Sequence, residues 1–239
     1  MQYSIQVKSL SKSFGKFKAL NNISFELPYK GFFGLLGTNG AGKTTLIGIL
    51  LGLIKPTSGS VKILEHNIDN DKQKILKYVN FESPYVDLPR KLTVRQNLIF
   101  YSKLYGVKNP KSKIYFLCKS LKIEDLLDKN FGSLSSGQKT KVGICKALVN
   151  KPKLLLLDEP TASLDPDTSL FVRNFLMNYQ KINKMCILIA SHNMKEVEEV
   201  CQSIIILNRG EIFMNGSPCE LVKNNNCENL EELFIGIGK

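Results

Sequence analysis

The stretch Gly37-Thr38-Asn39-Gly40-Ala41-Gly42-Lys43-Thr44, followed by Thr45, fits the pattern G-x-x-x-x-G-K-[ST]. Its surroundings fit as well as its letters. Residues 32–36 are an apolar run that reads as a buried strand, and residues 46–51 lead out as a helix. A strand, a glycine-rich loop and a helix in that order aim backbone N–H groups and the positive end of a helix dipole at one point, which suits a phosphate. In such a loop Lys43 reaches the β- and γ-phosphates and the Thr44 hydroxyl holds Mg²⁺. Gly37, Asn39, Gly40, Ala41, Gly42 and Thr45 complete the expected nucleotide-binding set.

A second run supplies acids. Residues 154–157 are four leucines, and Asp158 and Glu159 follow them. An apolar run without alternation reads as a central parallel strand buried on both faces. Ligands of open α/β sheets bind at the carboxyl ends of such strands, where these acids sit. Asp158 is therefore expected to hold Mg²⁺ with Thr44, and Glu159 to orient and deprotonate a water that attacks the γ-phosphate. Residues 185–190 form another apolar strand, which ends at Ser191 and His192. A lone histidine at a strand end is usually structural.

Between these landmarks the pattern changes. Residues 3–7 and 23–27 alternate as half-buried strands do. Phe14 falls between them in a polar loop, either as an anchor packed on the core or as a platform for an adenine ring. Breakers at 55–59 stop the first helix, residues 60–64 read as a strand, 69–78 as a short helix, and 79–90 as irregular. Thr93 and Gln96 form a capping box, after which Val94, Leu98, Tyr101 and Tyr105 keep helical spacing until Gly106. Helical periodicity continues over 111–128, so the middle of the chain is helical and both flanks are β-rich. Residues 204–208 and 211–214 read as a hairpin around Arg209-Gly210, and 230–234 as a short amphipathic end helix.

Composition narrows the class further. The net charge of +12, from 33 basic and 21 acidic residues, fits an anionic partner or simply a lysine-rich solvated surface. The six cysteines form no C-x-x-C, and His66 and His192 are the only histidines, so no metal-ligand spacing appears and a reducing compartment is expected. No signal-peptide pattern is visible at the N-terminus. The longest uncharged apolar run, 46–54, falls far short of the roughly 20 residues of a membrane span.

Leu134-Ser135-Ser136-Gly137-Gln138 lies between the phosphate loop and the acid-tipped strand, and it resembles the signature, usually L-S-G-G-Q, of ABC transporter ATP-binding subunits. The resemblance covers nearly the whole chain. It implies an α/β fold: a phosphate-loop NTPase core with a mostly parallel sheet, an N-terminal antiparallel β subdomain and a helical subdomain inserted at 85–148, all within one domain, 1–239. It also implies a head-to-tail dimer, with a second copy or a paralogous subunit, in which Ser135, Ser136, Gly137 and Gln138 of one subunit meet the γ-phosphate of ATP held by the other. Ser163-Leu164-Asp165 resembles the loop that couples the two sites, with Asp165 beside the nucleotide. His192 resembles the switch histidine and joins Glu159 as a catalytic residue. Phe14 matches the aromatic that stacks on adenine, where tyrosine is more usual.

The resemblance implies a place for this chain at the cytoplasmic side of a membrane, peripheral to a transmembrane permease subunit as its partner, with no nucleic acid expected. Three positions depart from the family pattern. Ser136 replaces a glycine, which is tolerable if its φ is negative. The loop that usually carries a glutamine has Asn80 and Glu82 instead; either could take its role, and Glu82 is the one set with Thr44 and Asp158 at the metal. Glu65 stands where a turn glycine is common. A soluble relative acting on ribosomes or nucleic acid usually has two ATP-binding halves or a long coiled coil. Here there is one phosphate loop, and only 90 residues (134 minus 44) separate Thr44 from Leu134. Residues 92–98 and 230–234 look like those of ABC-2-type export ATPases, which leans the expectation towards export.

Overall fold

The computed structural model describes residues 2–84, 87–162 and 164–237. Its first half runs β1 (Tyr3–Phe14), β2 (Phe17–Pro28), β3 (Gly31–Gly37), α1 (Lys43–Leu50), β4 (Ser58–Ile63), β5 (His66–Asn67), α2 (Lys72–Ile75) and β6 (Val79–Glu82). Then come α3 (Val94–Leu104), α4 (Pro110–Ser120), α5 (Ser136–Leu148), β7 (Leu154–Asp158), α6 (Pro166–Asn183) and β8 (Cys186–Ala190). The chain closes with α7 (Met194–Val200), β9 (Ser203–Asn208), β10 (Glu211–Gly216), α8 (Pro218–Asn224) and α9 (Leu230–Ile237).

Two sheets result. The smaller is antiparallel, in the order β2-β1-β4-β5. The larger runs β10-β9-β3-β8-β7-β6 and is parallel except where β10 returns beside β9. This is the α/β arrangement expected from the sequence: an antiparallel N-terminal sheet beside a mostly parallel one.

Strand periodicity sorts the core. Leu154 and Leu156 of β7, with Phe33 and Leu35 of β3, point into a cluster shared with α1 and the antiparallel sheet. Leu155 and Leu157, with Phe32, Leu36 and Ile187, point the opposite way, into a cluster shared with α3 to α7. Both faces are covered, so the strand has no solvent side on which to place polar residues. All four leucines are fully buried.

The helical middle forms as its caps dictate. The Thr93 hydroxyl accepts the Gln96 N–H at 3.1 Å, and the Gln96 side chain accepts the Thr93 N–H at 2.9 Å. Val94 and Leu98 are buried, and Gly106 closes the helix with φ +67. Elsewhere the structure corrects the sequence reading. Residue 14 ends β1 rather than lying in a loop, because β1 and β2 run on until Phe14 pairs with Phe17 across a two-residue turn. The helix read over 69–78 is a single turn, Lys72–Ile75, with one buried residue to hold it. The 18-residue α6 was not legible from periodicity, since only Val172, Leu176 and Gln180 are buried along it.

Leu64 and Glu65 connect β4 to β5 with φ values of 51° and 70°, the pair of left-handed residues that a tight hairpin of this kind requires. The turn tolerates glutamate at a cost. Glu65→Gly removes that strain, and the gain exceeds the extra freedom given to the unfolded chain. A net stabilisation of about 0.5–1 kcal/mol is expected, read as a higher urea midpoint at unchanged slope.

Candidate nucleotide site

The strands β3, β8 and β7 end side by side: Leu35 pairs with Ala190, and Ala190 pairs with Asp158. The glycine-rich loop follows β3 at this same edge and hands over to α1 at Lys43. Gly42 has φ +108, and a Cβ there would stand 2.7 Å from the Ala19 carbonyl oxygen, so the position admits only glycine. Above the loop lies a cleft of 610 Å³. Its walls bring loop residues 38–45 together with Asp158, Glu159 and His192, which are remote in sequence.

The charges in this cleft are unbalanced. Lys43 donates from Nζ to the carbonyl oxygens of Gly37 at 2.7 Å and Thr38 at 3.2 Å. Burial pushes its pKa down, against the pull of the nearby Glu159 and Asp158 carboxylates. Burial pushes the Asp158 pKa up, the Glu159 charge adds to that, and Lys43 opposes both. Two carboxylates thus face one ammonium. A divalent cation beside Thr44 and Asp158 fits this surplus of negative charge. Among the described residues no three His, Cys, Asp or Glu side chains cluster as a metal cage. Mg²⁺ takes one or two protein ligands and completes its shell with phosphate oxygens and water.

Glu159 lies one residue beyond β7 in the left-handed region, with φ +52. Its N–H donates to the Ala190 carbonyl at 2.8 Å, and its Oε2 lies 2.7 Å from His192 Nδ1. A non-glycine residue held there stores strain, as functional sites often do. The histidine side chain is 70% exposed and the glutamate 15%, so the pair forms a rim that faces the cleft.

The signature residues stand elsewhere. Ser135 caps α5, accepting the Gln138 N–H at 3.3 Å while the Gln138 side chain accepts the Ser135 N–H at 3.1 Å. Ser136 opens the helix without a positive φ, so the change from glycine costs no backbone strain. A Cβ on Gly137 would meet only Leu164 and Thr168, at 3.6 Å. None of these four residues lines the cleft. Asp165 caps α6 through the Thr168 N–H at 2.9 Å, and hydrogen bonds from Thr168 hold its carboxyl below the usual range. Ser163 lies outside the described residues.

Two further expectations change. Glu82 does not join Thr44 and Asp158: its carboxylate lies 2.6 Å from Lys146 Nζ in a buried ion pair. Asn80 is turned the same way, donating to the Ala147 carbonyl at 2.5 Å and to Asn150 Oδ1 at 2.6 Å. The reason is the period of two along β6, which sends residues 80 and 82 to the α5 side and Val79 and Phe81 to the opposite one. At the other end of the cleft, Phe17 and Ala19 are in the wall and Phe14 is not. Phe14 is half exposed, with Lys12 Nζ 4.8 Å from its ring centroid. Phe14 and Phe17 are cross-strand partners and so share a face, a relation visible in sequence only once the hairpin turn is placed at Gly15-Lys16.

Comparison with known proteins agrees with this geometry. A family model described as ABC transporter matches residues 20–162. The Nod factor export ATP-binding protein I of Rhizobium sp. (strain N33) is 31% identical over 97% of this chain and 77% of that protein. The sulfate/thiosulfate import ATP-binding protein CysA of Vibrio vulnificus (strain CMCP6) is 33% identical over 98% of this chain and 69% of that protein. A solved structure described as the ATP binding subunit of an ABC transporter superposes with a TM-score of 0.90 at 26% identity, covering 98% of this chain and 99% of that one. With its phosphate loop, paired acids and histidine gathered at one sheet edge, the chain belongs to the ABC transporter family as an ATP-binding subunit that energises transport.

Proposed function

We propose that this subunit hydrolyses ATP with Mg²⁺ and drives export through a separate membrane-spanning permease. The observation that carries the reading is the meeting of Lys43, Thr44, Asp158, Glu159 and His192 around one cleft. The loop N–H groups and Lys43 bind the phosphates, Thr44 and Asp158 hold the metal, and Glu159 takes a proton from the attacking water. His192, whose Nδ1 lies 2.7 Å from the Glu159 carboxylate, is placed to meet the γ-phosphate. Bound Mg²⁺ supplies charge neutralisation at the phosphate oxygens.

Residues 135–138 stand outside the chain's own cleft, which supports a head-to-tail pair in which each signature helix meets the nucleotide of the other subunit. Phe14 and Phe17, on one face of the hairpin end, supply the platform for adenine. No helix of the described residues is long and apolar enough to cross a membrane. Membership of the family supports a place at the cytoplasmic face of a membrane, with segment 79–90, which begins in β6, and helical subdomain 85–148 passing its motion to the permease. Relatives include both export and import proteins by name. The export-like segments 92–98 and 230–234 support the outward direction.

Isolation of the tagged protein from its own membranes in mild detergent tests this reading. A stoichiometric protein with several membrane spans is expected to co-purify. Recovery of ribosomal proteins or nucleic acid without such a partner would overturn it.

A further inference from the structure

Glu196 lies on α7, four residues past His192, and its side chain is buried although no wall of the nucleotide cleft includes it. Burying a carboxylate is expensive, and an apolar residue would fill this place on the helix at less cost. What Glu196 touches gives its use. Glu196 Oε2 accepts the Thr161 hydroxyl at 2.6 Å, while the Glu196 N–H donates to Asn193 Oδ1 at 3.2 Å and the Asn193 N–H donates to the Ser191 hydroxyl oxygen at 3.1 Å. Thr161 stands two residues after Glu159, and Ser191 stands immediately before His192. One residue therefore ties the two segments that carry the reacting groups, the first through its side chain and the second through its backbone.

Those segments need such a tie. Glu159 is held at φ +52, a conformation that persists only when its surroundings over-determine it. The Glu159 N–H is fixed on Ala190, and the turn beyond it closes through Ala162 N–H to the Glu159 carbonyl at 3.2 Å and Leu164 N–H to the Thr161 carbonyl at 3.1 Å. Among the described residues, the Thr161 side chain is the point at which this turn is pinned from α7 by a charged group. Burial pushes the Glu196 pKa up, and the Thr161 hydrogen bond and the charge of Arg173 on α6 oppose it. Arg173 itself bridges to Glu199 on α7 at 3.1 Å, so α6 and α7 are cross-linked behind the same turn.

We propose that Glu196 is a positioning residue for turnover, whose carboxylate sets the geometry of Glu159, and so of its neighbour His192, through Thr161 without touching the nucleotide. The inference rests on the roles given above to Glu159 and His192. The phosphate loop is not attached to this network, so nucleotide affinity and turnover separate.

The test uses the full chain with Mg-ATP. Glu196→Ala is expected to lower kcat by about 10–100-fold, the scale of a lost outer-shell orienter, while the Kd for ATP moves less than about threefold. Glu196→Gln keeps an acceptor for the Thr161 hydroxyl and should return kcat to within about threefold of the parent. Thr161→Val should reproduce the alanine loss, and Thr161→Val combined with Glu196→Ala should be no worse than either alone. Parent kcat in Glu196→Ala or Thr161→Val overturns the proposal, as does a glutamine variant no better than alanine. If Glu196→Ala does not fold, Thr161→Val and Glu196→Gln decide the matter by the same criteria. Glu159→Gln, assayed alongside, separates the two failures: full turnover there removes the assignment of the base, whereas loss there with parent kcat in Glu196→Ala removes only the role of Glu196.

Discussion

Glu159→Gln is expected to leave ATP bound and to lower phosphate release by about 10²–10⁴-fold, the usual worth of a positioned general base. The side chains are isosteric, and residue 159 is held by its backbone, through φ +52 and the hydrogen bond to Ala190. The amide keeps a polar atom beside His192 Nδ1, which lies 2.7 Å from the carboxylate in the parent. Only basicity is lost. With the phosphates assigned to residues 38–45 of the cleft wall, the Kd for ATP should stay within about twofold, because the substitution leaves that wall unchanged. Single-turnover phosphate release and equilibrium nucleotide binding measure the two quantities separately. A variant that hydrolyses ATP at the parent rate shows that Glu159 is not the base.

Lys146→Ala should be the most destabilising single change at the β6–α5 contact, costing about 3–5 kcal/mol. Glu82 and Lys146 are 5% and 6% exposed, with Nζ and Oε2 2.6 Å apart. Burial pushes the Glu82 carboxyl up and Lys146 holds it down, so removing the lysine leaves burial unopposed. The sign follows. A carboxyl whose folded pKa lies above its unfolded value of about 4.3 binds its proton more tightly in the native state. The variant is therefore least handicapped below about pH 4 and loses further stability as pH rises through the folded pKa.

Urea unfolding of parent and variant at several pH values gives this difference directly. A gap that is flat with pH, or that narrows as pH rises, contradicts the assignment. Glu82→Gln in the Lys146→Met background removes both charges and should recover most of the loss. Gly143 belongs to the same feature: a Cβ there would collide with the Glu82 carboxylate, so α5 gives up helix propensity at that turn to let the acid approach.

Much of the site was legible locally. The phosphate loop declares itself because its chemistry is made by consecutive residues: glycine where φ is positive, then lysine and threonine at the helix start. The acids after Leu157 were equally clear, since a strand covered on both faces leaves polar groups only at its end. Capping at Thr93 and Ser135 was readable for the same reason, as the donors and acceptors lie three residues apart. α6 was harder to see: its apolar stripe is narrow, although Asp165 followed by Pro166 is a start signal in plain view.

What the sequence by itself determined is the set of short-range devices: the phosphate-binding turn, the central apolar strands, the caps, and so the class of fold. The tertiary structure alone decided which distant groups meet. Strand order set His192 against Glu159 across β8, and strand alternation turned Glu82 from the metal to Lys146. Hairpin register placed Phe17 rather than Phe14 in the cleft wall, and the packing of α7 joined Glu196 to Thr161. The physical reason is range. Backbone conformation and capping depend on neighbours within a turn or two, whereas the partner of a buried charge is chosen by which faces the folded sheet brings together.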